Sequence, residues 1–362
     1  MRRENAAPDT SGRARRRAVE VAGAQPLHGP LAGYHHETYA FPLPQGADRG
    51  DGPSRWKLRE PRANVIWFDR RAFVGEEELL AALAGRVRGI PDVTHVGSVA
   101  LQRYIEGETL GSRFRVGTGI PPAMVAQLIA LAGELASIPP DSLRVPRYPL
   151  AEERIADGDS HGFMDRLVLF AEEHVYGRNE HRFGTLFGDL GIDGNAFRRL
   201  RERLGGISER PFQLLHGDLH RENLIIDHQD SLWAIDWELA VFGDPLYDLA
   251  THLYLMGYPP RQARRVAERW TAAVEGVTAG ASRRWRSDLP RIIAFKRAQS
   301  VFTDVIRAAL SLADGAALRV TVPRLRRVLK AGAEPLGLAT VPTPWETAVA
   351  LTRWRRSYAS RP

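Results

Sequence analysis

Asp218, Asn223 and Asp236 stand in the order and at the spacing of groups that hold a hydroxyl and two Mg²⁺ ions beside a phosphate chain. The stretch reads His216-Gly217-Asp218-Leu219-His220-Arg221-Glu222-Asn223. It continues as Asp236-Trp237-Glu238, then Gly243-Asp244-Pro245 and Asp248. Phosphoryl transfer asks a protein for positioning and charge neutralisation rather than covalent chemistry. Carboxylate and amide oxygens suit Mg²⁺, which binds through one or two carboxylates plus phosphate and keeps several waters.

Such groups work only if something rigid aims them. Phe212–Leu215, Asn223–Ile226 and Leu232–Ile235 are short apolar runs bounded by polar or turn residues, a pattern that favours buried strands. Asp218 and Asn223 then lie on a tight strand-loop-strand connection, and Asp236 ends the next strand. Protein kinases reach the same geometry with an H-R-D-x-x-x-x-N loop followed by D-F-G; here Gly217 takes the Arg position and Trp237 the Phe position.

With these residues the chain resembles the aminoglycoside phosphotransferase and choline-kinase-like family, whose hallmarks are H-G-D-L-H-x-x-N, I-D-W/F and G-D-P-x-x-D-L-A. The resemblance implies an α+β, bilobal protein-kinase-like fold. A small N-terminal antiparallel β-sheet lobe with one helix would sit on a larger, mainly α-helical C-terminal lobe. It implies Asp218 as the base toward the acceptor hydroxyl, Asn223 and Asp236 as Mg²⁺ ligands, and ATP or GTP as donor. Asp248 would open a helix and hold the catalytic loop through its backbone. His216 reads as a scaffold that orients the loop, and His220 as scaffold or lining.

Composition bounds the rest. The 362 residues suffice for two lobes. The absence of cysteine removes thiol chemistry and fits a reducing, cytoplasmic location. Arg2, Arg3, Arg13 and Arg15–Arg17 mark residues 1–27 as a disordered basic tail, without the apolar core of a signal peptide. Residues 281–362 carry 16 Lys and Arg against 5 Asp and Glu. Their helical spacing, as in Leu325–Lys330 after Pro323, reads as a solvated helix face rather than a nucleic-acid site.

Three lysines, at 57, 296 and 330, stand among 47 arginines. Lys57 lies on the strand from Trp56 to Pro61, where the family places its nucleotide-phosphate lysine; the alternative is a surface lysine on an edge strand. Glu76–Glu78 open a helix, as its dipole favours. Glu76 is the chosen partner of Lys57, because Leu80 and Leu83 then share its face, with Glu77 as fallback. The turn at Gly33 would cover phosphates, although His35, His36 and especially Glu37 also read as exposed turn residues. Gln45–Ser54 reads as a hairpin loop, and Thr94–Tyr104 as one strand. Lobe one then spans 28–101, a hinge 102–107 and lobe two 108–362. By position alone, backbone groups of Arg103 to Ile105 would take the purine edge. Pro122–Ser137 is an amphipathic helix, and helices follow at about 246–257, 260–276, 287–313 and 323–331.

Glu152, Glu153, Asp157, Asp159, Asp165, Glu172 and Glu173 make one segment acidic. They form either a solvated helix face or a site for a cationic acceptor. The leading expectation is a kinase acting on a hydroxyl of an aminoglycoside-like or other natural product. A primary-metabolite kinase (choline, homoserine or sugar type) and a non-catalytic kinase-fold module are the alternatives. Asp236 is followed too soon by the Gly-Asp-Pro turn for an activation segment, which argues against protein substrates. The expected partner is a small molecule, with no nucleic acid and no membrane, and the chain a monomer or homodimer.

Overall fold

The described residues of the computed structural model are 10–31, 33–43, 54–63, 65–148 and 155–359. The N-terminal part is built on five strands: β1 (His28–Leu31), β2 (His36–Pro42), β3 (Arg55–Pro61), β4 (Val93–Val96) and β5 (Val99–Arg103). They form one antiparallel sheet in the order β1-β2-β3-β5-β4. Residues 94–104, read as a single strand, are instead the β4–β5 hairpin, which turns at Gly97 with φ +60°. The β2–β3 register sets Ala40 opposite Lys57 and Thr38 opposite Arg59. Alternation along β3 buries Trp56 and Leu58 on one face and leaves Lys57 and Arg59 on the other.

A correction concerns the tail. Residues 10–22 form helix α1 (Thr10–Ala22) rather than a disordered segment. Ala14, Ala18 and Ala22 recur every fourth residue and are buried against Tyr39, Phe41, Trp56 and Leu58 of the sheet. A narrow alanine stripe lets helix and sheet approach closely, while its arginines stay on the outer side, where Arg17 pairs with Glu60. The lobe therefore carries two helices, α1 and α2 (Glu76–Leu83). The expected loop at 45–54 lies, except for Ser54, outside the described residues.

Between β5 and β6 (Glu108–Thr109) the chain leaves the five-stranded sheet for a second one, where β6 pairs with β8 (Leu224–Ile226). The remaining strands β7 (Gln213–Leu215), β9 (Leu232–Ala234) and β10 (Val241–Gly243) complete two small sheets around the catalytic stretch. The rest of the regular structure among the described residues is helical, chiefly α3 (Leu110–Arg113), α4 (Pro122–Ala136), α5 (Ser160–Phe170), α6 (Glu180–Asp189), α7 (Asn195–Leu204), α8 (Pro245–Met256), α9 (Pro260–Val277), α10 (Trp285–Ala313), α11 (Leu318–Leu336) and α12 (Pro344–Ala359). The fold is thus α+β, with a small sheet lobe and a larger helical one.

Helix α10 is the hub. Its 29 residues bury Ile292, Phe295, Val301, Phe302, Val305 and Ile306, and it packs on α8, α11 and α12. Helix α11 starts five residues before Pro323, which the sequence places in a first turn. A proline in the second turn forgoes a single backbone bond there, and buried Thr321, Val322 and Leu325 hold the segment helical. Among the described residues no helix is long and apolar enough to cross a membrane.

Candidate active site

The candidate catalytic loop joins β7 to β8 and is held by contacts from several elements. Gly217 adopts φ +81°, and a Cβ there would collide with the Leu239 carbonyl, which is why the Arg of the kinase loop gives way to glycine. Asp248, in the first turn of α8, accepts the backbone N–H of His216 (3.2 Å) and of Gly217 (2.9 Å). The N-cap itself is Asp244, whose carboxylate accepts the Leu246 N–H. Burial pushes the Asp248 carboxyl up, against the lowering effect of His216 and these two N–H bonds.

His216 is fully buried. Its Nε2 donates to the Ile235 carbonyl (3.1 Å), and its Nδ1 accepts the Asp218 N–H (3.3 Å), the arrangement of a neutral ring. Burial lowers its pKa in keeping with that role. His220 Nδ1 accepts the Glu222 N–H, and its Nε2 lies 3.3 Å from Asp218 Oδ2. Burial alone would lower the His220 pKa, but the bond to Asp218 and that carboxylate's charge outweigh it, and the net direction is up. Asn223 Nδ2 donates to the Asp218 carbonyl (3.0 Å) and to its Oδ2 (3.2 Å), so its Oδ1 faces away from these contacts.

Asp236 has φ +66°, a left-handed conformation uncommon for a non-glycine residue and frequent at functional sites. Trp237, buried behind it, donates Nε1–H to the Ala234 carbonyl and lies 4.6 Å from the His216 ring. Together Asp218, Asn223 and Asp236 offer only hard oxygen donors on one loop and one strand end, a set that fits Mg²⁺.

The cation side differs from expectation. Glu76 pairs with Arg59, not Lys57, and also accepts the Trp237 N–H (3.1 Å). Arg59 Nη2 reaches Asp236 Oδ1 at 3.0 Å. Register explains this: Arg59 lies two residues further along β3, opposite Thr38 and nearer the turn at Gly33–His36, whereas Lys57 lies toward the hinge end, opposite Gln102. Glu77, the fallback, accepts from Gln102 Nε2 (2.9 Å). Burial and the neighbouring Arg59 lower the Lys57 pKa to about 7, and the charges of Asp236 and Glu77 offset only part of this.

Glu238 was not anticipated. It ties the turn to the Asp236 strand end: His35 Nδ1 is 2.6 Å from it, His36 Nδ1 3.4 Å and Arg71 Nη2 2.5 Å. His35 also stacks on Trp67 at 4.2 Å. Burial and Arg59 lower His36 to about 3, and Glu238 falls to about 2, its burial outweighed by His35, Arg71 and Arg59. Glu37 is buried, not exposed, and accepts from Tyr39 Oη at 2.7 Å. At the hinge the Arg103 amide is committed to the Asp92 carbonyl and Tyr104 to Arg55, which removes Arg103 N–H as a purine donor. Ile105 makes no such bond among the described residues.

Two buried arginines and one lysine also escaped sequence reasoning. Arg221 donates to the carbonyls of Met256, Phe114 and Thr118, and thereby anchors the loop. Arg210 holds Asp244 and Asp288. Lys296 of α10 is buried and donates to Tyr247 Oη at 3.1 Å. Burial would lower its pKa, yet Tyr247 and Asp69 reverse the direction. Of the acidic segment, Asp165 and Glu172 pair with Arg201, Asp159 caps α5 and Asp157 accepts the Phe212 N–H. Glu152 and Glu153 lie outside the described residues.

The phosphotransferase enzyme family (APH) matches residues 47–285. No curated protein matches the sequence. Similar solved structures include a choline/ethanolamine kinase family protein from Mesorhizobium loti, 18% identical over 95% of this chain and 99% of that one, with a TM-score of 0.50. The gentamicin complex of APH(2'')-IIa is 14% identical over 94% and 99%, with a TM-score of 0.52. The ethanolamine kinase of Plasmodium vivax is 12% identical over 96% and 85%, with a TM-score of 0.51. At such identities the likeness is one of fold. The family match spans well over half of the sequence, and the chain belongs to the phosphotransferase enzyme family, enzymes that move a phosphoryl group onto a hydroxyl.

Proposed function

We propose that this phosphotransferase moves the γ-phosphoryl of ATP or GTP onto a hydroxyl of a small natural-product alcohol. The observation that carries the reading is the ordered set of Asp218, Asn223 and Asp236, with the Asp218 side chain left 31% exposed. Asp218 accepts the acceptor's hydroxyl proton as the oxygen attacks phosphorus, and His220 and Asn223 hold its carboxylate in place. Asn223 Oδ1 and Asp236 would hold Mg²⁺, which supplies charge neutralisation on the phosphate oxygens.

Arg59, locked by Glu76, takes the part that a β3 lysine plays in protein kinases. Lys57 adds a second cation once phosphate charge is near, because a group with a pKa of about 7 protonates readily beside an anion. Backbone amides from Gly33 to His36 cover the phosphates, and the Ile105 amide meets the purine edge. The enzyme would act in the cytoplasm, and modification of an antibiotic would confer resistance. A mass-shift screen of an alcohol panel with Mg²⁺ and either ATP or GTP tests the reading. A phosphorylated alcohol is expected with at least one donor, and a panel left unmodified by both rejects it.

A further inference from the structure

Two connected hollows run from the catalytic loop to the outer helices. The inner one, about 320 Å³, reaches Gly217, the neighbour of Asp218, as well as Leu239 and Tyr247. The outer one, about 780 Å³, ends at the π-helix Ala171–Tyr176 and the 3-10 helix Gly177–Asn179 that follows it. They share Asp69, Arg70, Tyr148 and Arg166, and so form one trough. Its size suits a ring-bodied natural product rather than a small metabolite.

The lining decides the chemistry. The inner walls are aromatic: Phe163 packs edge-on to Phe212 (5.7 Å) and Tyr247 (5.5 Å), and Phe73 to Phe242 (6.2 Å). Among the described residues four carboxylates line the trough, those of Asp69, Asp141, Asp157 and Glu173. Five guanidiniums line it as well, from Arg70, Arg71, Arg147, Arg166 and Arg178, of which Arg71 is paired with Glu238 and Arg147 lies over the Phe73 and Phe242 rings. Two of the carboxylates are already engaged, Asp69 by Gln299 Nε2 (2.7 Å) and Asp157 by the Phe212 N–H (2.8 Å). Each ammonium of a polycation needs a carboxylate once it is desolvated, and the described lining carries no surplus of them.

We infer that the acceptor is an amphipathic alcohol with a broad apolar ring body and at most one positive charge, not a polycationic amino-sugar. This rests on the kinase reading above, and binding and transfer are measured separately to keep the two apart. Calorimetry with Mg²⁺ and ADP present would use four probes: a neutral macrolactone, a monoamine macrolactone, a steroidal glycoside and gentamicin. At least one of the first three should bind about ten-fold or more tightly than gentamicin, and Phe242→Ser should weaken it about ten-fold. Arg166→Glu, outside the core, should instead strengthen gentamicin relative to that probe.

Gentamicin binding most tightly, or no binding by the three apolar probes, overturns the inference whether or not transfer occurs. So does a selectivity unmoved by both substitutions. Tight binding of an apolar probe that is never phosphorylated supports the trough and counts against the kinase reading alone.

Discussion

Arg59 Nη2 lies 3.0 Å from Asp236 Oδ1, and the same guanidinium is clamped by Glu76. One planar fork therefore links strand β3, helix α2 and the strand end that carries Asp236, a task the point charge of a lysine performs less well. The Trp237 N–H on Glu76 closes the circuit.

Arg59→Met should consequently lower kcat/KM by about 10²-fold, the scale for removing one preorganised charge from a phosphoryl-transfer site. Lys57→Met should cost less activity and should stabilise the unliganded protein at neutral pH, because the native state disfavours the ammonium there. Steady-state kinetics and urea melts on both variants check this. A larger activity loss for Lys57→Met would restore Lys57 to the principal role.

Gly217→Ala should cost about 2–3 kcal/mol and most of the turnover, since it combines a strained φ with a clash on the Leu239 carbonyl. Thermal unfolding and an activity assay on the same preparation decide it; a variant of native stability and rate contradicts the loop geometry described.

Acid should weaken the fold early. His252, buried between the Leu219 carbonyl and Tyr258 Oη, is lowered to about 4, and His36 to about 3, in each case chiefly by burial. The unfolded chain takes up these protons near pH 6.5 while the native state refuses them, so stability falls as pH drops below about 6.5. At pH 5 His252 alone withdraws about 2 kcal/mol. Glu238 extends the loss below about pH 4.3, since its native pKa of about 2 lies under the unfolded value. Urea midpoints at pH 7.5 and 5.0 test the sign, and an unchanged or higher midpoint at pH 5.0 contradicts it.

The catalytic loop was legible because its groups lie within 31 residues and its flanking strands are short apolar runs. The Arg59–Glu76 pair was not. Lys57 and Arg59 share a face of one strand, and only the β2–β3 register and the placement of α2 choose between them. Glu238 escaped notice because its partners come from three separate segments, at 35–36, 59 and 71. Helix α1 was hidden because alanines, not large apolar residues, form its buried stripe.

Lys296→Met removes the buried cation that donates to Tyr247 Oη. Its expected effect is a lower kcat with a smaller change in nucleotide KM, because Tyr247 faces the inner trough rather than the phosphates. Equal changes in both parameters would reject that placement.

Asp218→Asn keeps the size of the side chain and removes the carboxylate proposed to take the acceptor's proton. Single-turnover transfer of a labelled γ-phosphoryl by Asp218→Asn, with nucleotide binding measured in parallel, tests that role most directly. Transfer should slow by about 10³-fold or more, with nucleotide affinity within a few-fold of the parent. Transfer at a rate near the parent's would contradict it.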